Sequence, residues 1–328
     1  MRCTNNKKII SLALACLVMV YSLAGCGQKA DPNAYRIYES SYYYDITEAA
    51  FVEETPLFAE DLCIPDSENI GIKKVDSSLA KSGAVFNNTS RKTIYSKKIY
   101  DKVYPASTTK ILTAYIAIRY GNLDEIYTVS EHACDQTYDS SVAGLSPGDK
   151  ITLRDLLFGL ILASGNDAAI AIAEGIDGDE KTFVERMNKV AKKLGATDSH
   201  FVTPNGLHDE DHYTTAYDMY LIFSAALGEK EFYTILSTPE YTARFSAADN
   251  SVKEKQWKST NSYITGERTA PDGITVIGGK TGTTGAAGYC LVMLSENSNK
   301  DQIISMVFDA ENRYNLYDLM NQLLSKAG

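Results

Sequence analysis

The apolar residues of this 328-residue chain fall into runs of two kinds. In the middle they recur at helical spacing. "TLRDLLFGLILAS" is apolar every three to four positions, "DEKTFVERMNKVAKKLGA" is amphipathic and closes at Gly195, and "TAYDMYLIFSAALG" stops at Gly228. That spacing predicts helices ended by glycine. "ILTAYIAI", residues 111–118, is apolar almost all the way round, the pattern of a helix buried on every side. Toward the ends the texture changes. "SGAVFNNTS" and "KTIYSKKIY" predict two strands around an Asn/Thr/Ser turn. From about 255, "GITVIGGKTGTT", "GYCLVMLSEN" and "QIISMVFDA" are β-rich runs split by glycine or by "NSNKD", and "RYNLYDLMNQLLSKA" predicts a closing helix. Strands at both ends around a helical middle, from 107 to about 237, predict an α+β fold. Its antiparallel sheet is assembled from both chain ends, with a helical lobe inserted between them.

The N-terminus has another pattern. Arg2, Lys7 and Lys8 precede the apolar run "IISLALACLVMVYS", which is short for a membrane span and suits a signal-peptide core. "LAGC" follows and resembles a bacterial lipobox, implying cleavage after residue 25 and acylation of Cys26. Residues 26–69 are acidic and Tyr-rich without lasting periodicity, and read as a tether between that lipid and a domain spanning 70–328. A flexible tether of about 40 residues reaches roughly 35 Å. The Tyr cluster equally allows packing on the domain.

With 44 % hydrophobic residues the chain can bury a large core, and a formal net charge of −10 without any basic block excludes a nucleic-acid partner. Of six cysteines, Cys3 and Cys16 leave with the signal peptide and Cys26 carries the lipid. Cys63, Cys134 and Cys290 remain, an odd number that reads as free, mostly buried thiols rather than a disulfide framework. Asn88-Thr89-Ser90 matches a glycosylation sequon and reads as turn chemistry.

Polar residues that interrupt the apolar pattern carry the candidate chemistry. Ser107 and Lys110 share one face at the start of the buried helix. A lysine at a helix N-terminus is disfavoured by the dipole, and burial or a second cation lowers its pKa further. A neutral amine there can take the proton of a neighbouring hydroxyl, making Ser107 a nucleophile and Lys110 its base. Ser164-Gly165-Asn166 breaks two apolar helical runs, so its polar groups need partners; beside the first pair, Ser164 relays a proton and Asn166 orients Lys110 or a substrate amide. Lys280-Thr281-Gly282 ends an apolar strand, where a cation and a hydroxyl can hold a carboxylate and glycine admits a substrate backbone.

S-x-x-K, S-x-N and K-T-G, in this order and these contexts, resemble the penicillin-binding proteins and serine β-lactamases. "YPASTTK", "LILASGNDAAIAIAE", "HFVTPNGLHDEDHYTTAYDM" and "GGKTGTT" are similar to the low-molecular-mass D-alanyl-D-alanine carboxypeptidases, serine peptidase family S11, over about 75 to 326. The resemblance implies an acyl-enzyme on Ser107, formed from a peptidoglycan stem peptide ending in D-Ala-D-Ala and equally from a penicillin. Lys110 is then the base, and Ser164 and Asn166 relay and hold. Lys280, Thr281 and Arg313 lie near the terminal carboxylate. The N–H groups of Ser107 and Thr283 form an oxyanion hole, typically worth roughly 3–4 kcal/mol per donor. No cofactor and no metal are implied. Many members carry a C-terminal β-rich domain and amphipathic anchor; here the Cys26 lipid is expected in the anchor's place, holding the enzyme outside the cytoplasm on the membrane.

Two constellations are set aside. "HDEDH", 208–212, groups potential metal ligands but falls in the loop before "TTAYD", and His132 and Cys134 are too close in sequence to form a Cys–His pair. Two other functions share the motifs. A serine β-lactamase needs a deacylating base, and no E-x-x-x-N element of the class A kind lies between 164 and 280. A non-catalytic peptidoglycan-binding lipoprotein would lack a core residue, and none is missing.

Overall fold

The computed structural model describes residues 61–328. The signal peptide of 1–25, the lipid on Cys26 and most of the tether lie outside the described residues. Cys63, within the stretch assigned to the tether, is fully buried, and its N–H donates to Tyr220 Oη at 2.8 Å.

In chain order, β1 (Ala80–Asn87) and β2 (Lys92–Lys97) form a hairpin. A 3-10 turn, Ala106–Thr109, leads into α1 (Lys110–Tyr120). Then come β3 (Ile126–Thr128), α2 (Glu131–Cys134), β4 (Lys150–Thr152), α3 (Leu153–Ile161), α4 (Asn166–Asp177) and α5 (Glu180–Lys193). The chain continues through α6 (Ala216–Leu227), α7 (Lys230–Leu236), β5 (Glu240–Ser246) and β6 (Val252–Lys258). It closes with β7 (Thr275–Thr284), β8 (Gly288–Glu296), β9 (Gln302–Ala310) and α8 (Arg313–Leu324).

The main sheet has the order β2-β1-β9-β8-β7, antiparallel throughout, so its edges come from opposite ends of the described chain as the pattern predicts. Strand alternation sends Ala84, Phe86, Val292, Leu294, Ile304 and Met306 into the core shared with the helical lobe. Their neighbours Val85, Leu291, Met293, Ile303 and Val307 meet Leu316, Leu319, Met320 and Leu323 of α8 on the other face. Burial on both faces explains why β8 and β9 read as continuous apolar runs. Helix α1 packs against α3, α4, α5, α6 and α7, which uses up the whole circumference of "ILTAYIAI". Side chains of Thr152, Asp179, Thr215 and Asn312 cap α3, α5, α6 and α8 by accepting N–H bonds from their first turns.

The sequence pattern missed a second sheet, ordered β3-β4-β5-β6. β3 and β4 have three residues each, too few to show a period. The β5–β6 hairpin buries only Ala243, Phe245 and Trp257, while its outer positions pair charges, Arg244 with Glu254 at 2.8 Å and Lys258 with Glu240 at 3.4 Å.

Candidate active site

The two ends of "YPASTTK" take different geometries. Residues 106–109 form a 3-10 turn and the α-helix starts at Lys110 itself, rather than at Ser107. In a 3-10 turn residues three apart eclipse one another, so Lys110 Nζ lies 3.0 Å from Ser107 Oγ. Ala106, just before Ser107, has φ +47°, a left-handed conformation costing roughly 1–3 kcal/mol in a residue with a Cβ. Two glycines make the turn possible. A Cβ on Gly206 would sit 1.9 Å from Ala106 O, and one on Gly282 would sit 2.9 Å from both Pro105 O and Ser107 N. Strand β7 and the 203–206 loop therefore clamp the turn from two sides.

Lys110 is fully buried, and besides Ser107 it meets Asn166 Oδ1 and Asn205 O, each at 2.7 Å. Burial holds its pKa well below the ordinary lysine value and the Lys280 charge pushes it further down, against the opposing pull of Asp167. A neutral amine has two N–H donors and one lone pair. The two oxygens take the donors, which leaves the lone pair for the Ser107 O–H.

Ser164, between α3 and α4, is buried with φ +57°. Its Oγ accepts from Lys280 Nζ at 2.8 Å, and the same ammonium donates to Thr281 O at 2.8 Å. Lys280 is fully buried, which lowers its pKa to about 7. Thr281 Oγ1 lies 2.5 Å from Thr260 Oγ1. A cavity of about 250 Å³ is lined by Ser107, Asn166, Asn205, His208 and Thr283, and one of about 320 Å³, which shares Thr283 with it, is lined by Thr281, Thr260, Glu267 and Arg313. Ser107, Lys110, Ser164, Asn166, Lys280, Thr281 and Thr283 thus converge. Arg313 lines the second cavity, where its Nη2 donates to Ser262 Oγ at 2.7 Å and to Glu267 Oε2 at 2.9 Å.

Several supporting groups escaped the sequence reading. Asn205 acts through its carbonyl, which no side-chain pattern reveals. Asp167, beside Asn166, is buried and accepts N–H bonds from Ala143, Gly144, Leu145 and Ala168, tying the 141–145 loop to the start of α4. His212 belongs to "HDEDH". Its Nδ1 accepts from Val202 N–H at 3.0 Å, so Nε2 carries the proton and donates to Thr109 Oγ1 at 2.9 Å. Burial lowers its pKa to about 4. His212 therefore joins the loop ahead of Asn205 to the turn carrying Ser107. His208 instead packs edge-on against Tyr104, with ring centroids 4.7 Å apart. His132 meets Glu180 at 3.1 Å. Cys63, Cys134 and Cys290 are free thiols, and burial raises Cys290 to about 12.

A helical lobe set into an antiparallel sheet, with a Ser–Lys pair facing a second Ser–Lys pair at the junction, is the architecture of the penicillin-binding proteins. The chain belongs to the D-alanyl-D-alanine carboxypeptidase family, peptidase family S11, whose sequence model matches residues 71–312. D-alanyl-D-alanine carboxypeptidase DacF of Bacillus subtilis is 36 % identical over 239 residues, covering 70 % of this chain and 57 % of that protein. The D-alanyl-D-alanine carboxypeptidase of Streptomyces sp. strain K15 is 33 % identical over 235 residues, 68 % of this chain and 79 % of that one. The crystal structure of the Streptomyces K15 DD-transpeptidase superposes with a TM-score of 0.71 at 29 % identity, covering 78 % of this chain and 98 % of that chain. The expected family and fold class are both borne out.

Proposed function

We propose that this chain is a serine-type D-Ala-D-Ala carboxypeptidase acting on peptidoglycan stem peptides. The observation that carries the reading is Lys110, a buried lysine whose two N–H donors are taken by Asn166 and Asn205 while its remaining position faces Ser107 Oγ. Ser107 Oγ attacks the carbonyl between the two D-alanines as its proton passes to Lys110 Nζ. The oxygen that gains charge lies against the N–H groups of Ser107 and Thr283. The C–N bond then breaks. The leaving amine takes a proton by way of Ser164, which Lys280 supports. Thr281, Lys280 and Arg313 hold the departing carboxylate. Water attacks the Ser107 ester, releasing the shortened peptide and restoring the hydroxyl. Penicillins acylate the same oxygen. The enzyme works outside the cytoplasm, held to the membrane through lipid on Cys26; among the described residues no helix is long and apolar enough to cross a membrane.

The test is release of D-alanine from a diacyl-L-Lys-D-Ala-D-Ala peptide alongside labelling by fluorescent penicillin. Both are expected in the wild type and absent in Ser107→Ala. Steady nitrocefin turnover without D-alanine release would establish a β-lactamase instead. Lipid on Cys26 predicts that the mature N-terminal peptide carries acyl mass at that residue and that Cys26→Ser moves the protein into the soluble fraction.

A further inference from the structure

The cavity that contains Ser107 is not neutral. Lys110 is buried behind Ser107, Asn166 and Asn205, no lysine or arginine lines the cavity, and the titratable side chains on its wall are Asp139 and His208. The one carboxylate on its wall is Asp139, in the segment between α2 and β4. Among the described residues no cation pairs with Asp139; it accepts a hydrogen bond at 2.8 Å from Thr137 Oγ1. The segment is held in place from behind. Asn166 N–H donates to Ser141 O at 2.8 Å, Asp167 accepts three N–H bonds from 143–145, and Trp257 Nε1 donates to Ala143 O at 2.8 Å. The helix start that supplies Asn166 to Lys110 therefore also fixes the loop presenting Asp139. Tyr138 beside it is fully exposed.

The cavity with Arg313, Thr281 and Glu267 takes the departing carboxylate in the reading above. The other half of the substrate then lies in the Ser107 cavity, on the Asp139 side. The geometry points to Asp139 as a specificity-determining residue that selects acyl donors carrying a free side-chain amino group on the residue before D-Ala-D-Ala, a diamino acid. This rests on the proposed carboxypeptidase reading. Asp139 is exposed, so the attraction is that of a solvated ion pair, about two- to five-fold in kcat/KM, and it weakens with salt.

The experiment compares Nα-acetyl-L-Lys-D-Ala-D-Ala, whose ε-amine is free, with its Nε-acetyl counterpart, reading D-alanine release. The wild type is expected to prefer the free amine at low salt and to lose most of that preference at about 1 M salt. In Asp139→Asn the ratio should fall to near one, and in Asp139→Lys it should invert. A wild-type ratio of one, or a preference that Asp139→Asn retains, overturns the assignment. Fluorescent-penicillin labelling separates the two failures. A protein that labels and releases D-alanine without preference refutes the role of Asp139 alone. One that releases no D-alanine from either peptide refutes the carboxypeptidase reading together with it.

Discussion

A lysine at the N-terminal end of a buried helix meets an unfavourable dipole and an unfavourable dielectric, and Lys110 is held there by Asn166 and Asn205. What is a defect for an ammonium suits a base. Lys110→Arg keeps a cation but cannot serve as the proposed base, because a guanidinium stays protonated in proteins. Acylation by fluorescent penicillin should fall about 10²- to 10⁴-fold, the usual range for general-base loss; normal acylation by a folded variant would show that Lys110 is not the base. Acylation by the wild type should also decline as pH falls and Lys110 becomes charged. At this scale the side chains whose types announce their chemistry, Ser107, Lys110, Ser164, Asn166 and Lys280, were legible. Asn205 was not, since its contribution is a carbonyl common to every residue. Thr260 and Glu267 stand in irregular sequence with no motif to mark them.

At the scale of elements, the active-site turn is made by its neighbours. Strand β7 can approach the 106–109 turn only because Gly282 has no side chain. In Gly282→Ala the new methyl meets the backbone atoms Pro105 O and Ser107 N, neither of which can swing aside. The strand must move, and with it the Thr283 N–H. A shift of about 1 Å at such a site costs on the order of 10²-fold in rate, so penicillin acylation should fall by that amount while far-UV circular dichroism still reports a folded protein. Unchanged acylation would show that the strand does not set the oxyanion geometry. Long periodic elements were readable because their burial is one-sided or complete. The small second sheet was not, because β3 and β4 are stubs and the β5–β6 hairpin spends its outer positions on charge pairs. The 3-10 start of α1 was also hidden, since residues three apart share a face in either kind of helix.

For the whole molecule, the buried bases make stability depend on pH. His212 titrates near 4 in the folded state against an ordinary value of 6.5. The unfolded chain therefore binds the extra proton between those values, and stability is retained above 6.5 and lost as pH falls toward 4. The full difference is on the order of 3 kcal/mol. His212→Asn should flatten that part of the urea-denaturation profile; an unchanged slope would remove His212 as its source. Lys280 acts in the same direction at higher pH, since a folded value near 7 against 10.5 makes stability rise across that window. The same burial lowers the pKa of the Lys110 amine. In the proposed reaction Ser107 on this scaffold cleaves the terminal D-alanine from stem peptides. The decisive experiment is mass spectrometry of pentapeptide muropeptides incubated with the protein. Wild type should convert them to tetrapeptides by loss of one alanine and Ser107→Ala should leave them intact; intact pentapeptides with the wild type, or equal conversion by the variant, would contradict the account.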